Sequence, residues 1–157
     1  MKKIDYDKEL RLKLEKLALL MGRNISKRHF ELFARVIITE DSSEYFKNHK
    51  LNEVNHLHEL DALETYGDAV LDLIVCEKLF KEKTPKKEMT ILRSDLVNNQ
   101  RLQTIGEKLL FGLLIQTNHS NFDNISYAKA LERLIGAIYE TYGTRFARKF
   151  LLTHGII

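Results

Sequence analysis

With one proline, one cysteine, no tryptophan and seven glycines in 157 residues, the chain has few of the devices that build loops, cross-links or tight turns. The scarcity of proline and glycine leaves long stretches free for helix and argues against an all-β architecture. Cys76 stands alone, which excludes an internal disulfide framework and a cysteine zinc cluster and suits a reducing compartment. No run approaches the ~18 apolar residues of a membrane span. The opening Met1-Lys2-Lys3-Ile4-Asp5-Tyr6-Asp7 lacks the apolar stretch of a signal peptide. The expectation is a soluble, cytoplasmic protein without a membrane partner.

Charge of neither sign dominates: the formal net charge is +3, with 30% charged and 44% hydrophobic residues. That balance is globular rather than disordered, and it permits nucleic-acid binding without diagnosing it. The length fits one domain with a genuine core, so residues 1–157 are read as a single domain.

Apolar periodicity predicts an all-α helical bundle. From about Asp7 to Met21, Leu10, Leu12, Leu14, Leu17, Ala18, Leu20 and Met21 mark a first helix that Gly22 ends; Ser26 is placed to cap a second, carrying Phe30, Phe33, Ala34, Ile37 and Ile38 and stopping at Glu40-Asp41-Ser42-Ser43. Residues 48–58 are ambiguous. Residues 59–83 read as one long helix with Gly67 as its only internal breaker, ended by Thr84-Pro85. Another apolar pattern runs through Met89, Leu92, Leu96 and Val97, and a further helix covers 102–110. A surface loop is expected at Asn118-His119-Ser120-Asn121, and a closing helical pair joined at Gly143 follows.

On a wheel of about 100° per residue, Asp61, Glu64, Asp68 and Asp72 fall within about 80° of one another, while Leu63, Val70 and Ile74 lie roughly opposite. Such a stripe is an ordinary solvated face or a cation site. Like charges three and four residues apart repel, and no lysine or arginine occurs between Asp61 and Glu77 to relieve them. A divalent cation bound by carboxylates from two helices would do so. Glu132, on the apolar stretch 128–139, is a candidate second contributor; its plainer reading is a salt bridge with Arg133, Lys129 or a neighbour's base.

Three ordered segments carry a family resemblance. Asp61-Ala62-Leu63-Glu64-Thr65-Tyr66-Gly67-Asp68-Ala69-Val70-Leu71 resembles the E-R-L-E-F-L-G-D-A-V-L helix of ribonuclease III nuclease domains. Met89-Thr90-Ile91-Leu92-Arg93-Ser94-Asp95-Leu96-Val97-Asn98-Asn99 resembles their L-x-x-L-R-S-x-L-V-N-N segment. Ala128-Lys129-Ala130-Leu131-Glu132-Arg133-Leu134-Ile135-Gly136-Ala137-Ile138-Tyr139 resembles A-D-x-x-E-A-L-I-G-A-I-Y. The resemblance implies an all-α endonuclease domain, here without a double-stranded-RNA-binding domain, that acts as a homodimer and uses Mg²⁺, with Mn²⁺ as a substitute. It would hydrolyse double-stranded or structured RNA during RNA processing and leave 5′-phosphate and 3′-hydroxyl ends. It further implies that Glu64, Asp68 and Glu132 bind the metal, Asp68 and Glu132 being catalytic, with Asp61 a supporting acid.

Lys129 departs from the pattern, standing where the family has an aspartate. A lysine competes with Mg²⁺ for the same carboxylates. Two readings follow: an inactive relative that binds RNA or a partner subunit, or a working site with fewer ligands in which Lys129 contacts the phosphate. The mini ribonuclease III group also lacks an aspartate at this place, and the retained Glu64, Asp68 and Glu132 favour a working site. Thr65-Tyr66 replaces the family's Phe-Leu at a place associated with the partner subunit.

Duplex RNA is recognised through phosphates, 2′-hydroxyls and shape, so its contacts are sought among cations. The stretch 81–101 supplies Lys81, Lys83, Lys86, Lys87, Arg93 and Arg101, with Asn98 and Asn99 as sugar or phosphate partners; Arg93, Asn98, Asn99, Lys86 and Lys87 are the candidate RNA contacts. His56 and His58 lack a third ligand and read as ordinary polar residues.

Overall fold

The computed structural model describes residues 6–38, 53–115 and 126–157. Among these residues the order is α1 (Tyr6–Met21), a 3-10 turn (Lys27–His29), α2 (Phe30–Ile37), α3 (Glu53–Lys81), α4 (Lys86–Val97), α5 (Asn99–Leu110) and α6 (Tyr127–Thr153). The expected all-α architecture is observed, with one isolated parallel bridge, Ile38 to Ile115, as the sole extended pairing among the described residues. The expected stop at 40–43 and loop at 118–121 lie outside them.

Helix α6 is the centre of the fold. From Tyr127 to Ile138 it is buried on nearly every side, because Ala128, Ala130, Gly136 and Ala137 let neighbours approach while Leu131, Leu134, Ile135 and Ile138 fill the space between them. Ser126 caps its start by accepting from the Lys129 N–H, and Gln103 of α5 accepts from the Ala128 N–H. At Gly143 the backbone takes φ 79° and ψ 179°, so the span is two helices meeting at a kink, as the glycine predicts. That combination is essentially glycine-only.

Helix α3 packs along α6 more extensively than any other pair of elements, and α5 is α6's next partner. The α3 residues Leu60, Leu63, Gly67, Val70, Leu71, Ile74, Val75 and Leu79 are all buried and line one face at three- and four-residue spacings. The helix begins six residues before the expected 59, inside the ambiguous polar stretch. Leu10, Leu14, Leu17 and Met21 of α1 and Phe33, Val36 and Ile37 of α2 close one side of the same core. Arg35 ties α2 to α3 through Glu59 at 2.7 Å. Helix α4 has no buried residue, and only Met89, Leu96 and Val97 lean on the core. Arg93 adds a tie to α3: its Nη2 donates to Asp72 Oδ2 at 2.9 Å while Nε meets Oδ1 at 2.5 Å.

Candidate active site

The acids of α3 face α6 across a crossing made possible by two glycines. A Cβ on Gly67 would stand 1.7 Å from the Glu132 carbonyl oxygen and 3.0 Å from the Gly136 N. On Gly136 it would meet the Leu63 carbonyl oxygen at 3.0 Å and the Gly67 N at 3.2 Å. The two backbones therefore touch at Gly67, one residue from Asp68 and three from Glu64, with Glu132 immediately across. Gly67, which the sequence offers only as a possible breaker, is a contact point, and the helix runs through it.

Glu64, Asp68 and Glu132 meet at this crossing. The Glu132 carboxyl is pushed up to about 7 from 4.5, first by burial and then by the negative charges of Asp68 and Glu64; Arg133 and Lys129 offset part of the effect. Such crowding of carboxylates against a half-buried acid is the chemistry of an oxygen-donor cation site. Asp61 lies exposed one turn before Glu64 and is not among the charges acting on Glu132.

The cations take a partner the sequence did not suggest. Arg133 Nη2 reaches Glu64 Oε2 at 3.3 Å and Lys129 Nζ lies 3.8 Å from Glu64 Oε1, so both converge on the acid of α3. Glu132, adjacent in sequence to Arg133, forms no ion pair among the described residues. Among the described residues no group of three or more His, Cys, Asp or Glu side chains is arranged as a ligand set. Arg133, which the sequence offers as a partner for Glu132, is 3% exposed and pairs with Glu64 instead. The one sign of this in the sequence is a charge standing where the quoted motif has alanine.

The candidate RNA contacts divide. Lys86 and Lys87 are exposed in the first turn of α4, next to exposed Lys81 and Lys83, and Asn99 is exposed at the start of α5. Arg93 is exposed but held by Asp72. Asn98 is a helix cap: its carboxamide accepts from the Arg101 N–H at 2.8 Å and donates to the Asp95 carbonyl at 2.7 Å. Arg101 donates to the Ile156 carbonyl at 2.6 Å and the Gly155 carbonyl at 3.1 Å, binding the C-terminal residues to the start of α5. These last two positions thus have structural work that composition alone does not reveal. His58 is exposed; the side chain of His56 lies outside the described residues.

The sequence pattern of the ribonuclease III domain matches residues 61–143, more than half of the chain and inclusive of the crossing segments of both helices. Ribonuclease 3 of Mycoplasma genitalium is 30% identical over 93% of this chain and 52% of its own length. Ribonuclease 3 of Chlorobaculum tepidum is 35% identical over 60% of this chain and 38% of its own. The chain thus spans about half, or less, of the length of these curated relatives. A nuclease domain of ribonuclease III from Campylobacter jejuni, described as structurally flexible in a region involved in dimer formation, superposes with a TM-score of 0.70 and 26% identity over 90% of this chain and 94% of that one. A second structure of the Campylobacter domain, 24% identical, shares the fold at a TM-score of 0.67, covering 98% and 94%. Profile, relatives and fold agree on the helices that carry Glu64, Asp68 and Glu132: this chain belongs to the ribonuclease III domain family.

Proposed function

We propose that the protein is a divalent-metal-dependent endoribonuclease that hydrolyses phosphodiester bonds of double-stranded or structured RNA, acting as a cytoplasmic homodimer in RNA processing. The observation that carries this reading is the half-buried Glu132 carboxyl held beside Asp68 and Glu64 across the Gly67–Gly136 crossing. A purely structural acid at such a place would gain from an ion pair, and the nearest cations serve Glu64 instead.

Glu64, Asp68 and Glu132 offer the hard oxygen donors that Mg²⁺ or Mn²⁺ prefers. When bound, the cation would supply Lewis-acid activation of water and stabilisation of charge on the phosphate and leaving oxygen. The chain's own groups divide the remaining work. Glu132, whose carboxyl burial and the neighbouring acids push up in the cation-free protein, gains most from a bound cation; Asp68 is exposed and accessible to solvent and substrate; Lys129, 45% exposed, is available to contact a backbone phosphate. Lys86 and Lys87 with the neighbouring exposed lysines supply a basic rim for phosphates.

The homodimer reading is supported by an exposed apolar stripe. Tyr66, Leu73 and Phe80 recur every seven residues along α3, and Ile91 and Leu92 on the neighbouring α4 are also exposed. The dimer-forming region described for the Campylobacter domain is consistent with it.

Incubation of the purified protein with long duplex RNA and Mg²⁺ or Mn²⁺, beside Glu132→Gln, tests the proposal. Cleavage by the wild type and its loss, by roughly 100-fold or more, in the variant is the expected result. Intact RNA under every condition, with RNA still bound, would overturn the enzyme reading.

A further inference from the structure

We propose that Arg133 is a positioning residue of the acidic site: its buried guanidinium holds the Glu64 carboxylate in the cation-free protein, so that a divalent cation has to draw Glu64 away from an internal counter-charge. This rests on the metal-dependent reading above and concerns a residue which that reading leaves without a part.

Arg133 is the only charged side chain among the described residues that is buried as deeply as the core, and a guanidinium does not shed its proton to lower that cost. It therefore needs an anion, and α3 presents one: Nη2 lies 3.3 Å from Glu64 Oε2. Lys129 faces the other oxygen at 3.8 Å, so each oxygen of Glu64 looks onto a cation. Lys129 and Arg133 are one helical turn apart on α6, which lets them reach the same carboxylate. They differ in strength. Lys129 is 45% exposed and solvated, whereas Arg133 acts where water screens little. Among the described residues the site thus sets three carboxylates against two cations, where the quoted motif has four carboxylates and no cation at the matching positions.

A residue with a merely structural role would weaken cation binding when removed. Arg133 should do the opposite, and through Glu64. Calorimetric titration of the purified full chain with Mn²⁺, without RNA, reads the effect, with circular dichroism as the check on folding. Arg133→Met, which fills the same space without charge, and Arg133→Gln, which keeps a donor, should each bind Mn²⁺ about tenfold tighter than wild type. Lys129→Ala should gain only about two- to threefold. Arg133→Lys should stay within about threefold of wild type, because it restores the charge. In a Glu64→Gln background the gain from Arg133→Met should vanish, since the carboxylate that ties Arg133 to the cation site is gone. If the wild type binds Mn²⁺ and neither uncharged variant binds it more tightly, or if the gain persists undiminished without Glu64, the Arg133 proposal falls and the metal-dependent reading stands. If no form binds Mn²⁺, including Lys129→Asp, both fall together.

Discussion

Glu132 sits in an unfavourable place for a carboxylate, and its stability should show it. Its folded-state pKa of about 7 stands above the ordinary 4.5, so the fold favours the protonated form. The stabilisation is fully present below the ordinary value and is lost as pH rises through about 7. With solvent screening at a half-buried site, the loss amounts to about 1–2 kcal/mol. In EDTA, Glu132→Gln should melt with the wild type near pH 4.5 and about 2–8 °C above it at pH 8. An equal offset at both pH values would remove the pKa shift as its cause. The acids themselves were legible in the sequence, because Glu64 and Asp68 share a wheel face and Glu132 interrupts an apolar run. The bond from Arg133 to Glu64 was not. In sequence, Arg133 lies beside Glu132, and only the crossing of α3 and α6 brings Glu64 closer to its guanidinium.

Helices were readable from periodicity, since most of the protein's burial follows three- and four-residue spacing. The break at Pro85 and the kink at Gly143 stand where the sequence puts them, and the long α3 differs only in starting six residues earlier and ending two sooner. Less legible was what each breaker does. Gly67 and Gly143 look alike as residues, yet one is demanded by a neighbour's backbone and the other by its own. Gly67→Ala would force a methyl into the Glu132 carbonyl, and separating the two helices should cost about 3 kcal/mol or more in urea unfolding. Gly143→Ala meets nothing within 4 Å and should cost about 1–3 kcal/mol through backbone conformation alone. RNA cleavage distinguishes them further: it should fall steeply in the first variant and stay near wild type in the second. Asn98 and Arg101 teach a related lesson. Polar residues in a basic stretch look like phosphate ligands, but their partners here are the chain's own amide and carbonyl groups.

At the scale of the molecule, the proposed homodimer would cover the apolar stripe on α3. Leu73→Arg, at the middle of that stripe, should convert a dimer to monomers in sedimentation velocity while helical content is retained; an unchanged dimer would move the interface elsewhere. No helix among the described residues is long and apolar enough to cross a membrane, as the composition predicts. The contact of Gly67 with Gly136 reaches beyond stability. Because the carboxylate-bearing backbones are pinned to each other at the two glycines, the half-exposed position 129 can change the charge of the site while the crossing that shapes it is held elsewhere. Shape and electrostatics thus rest on different residues of the same pair of helices.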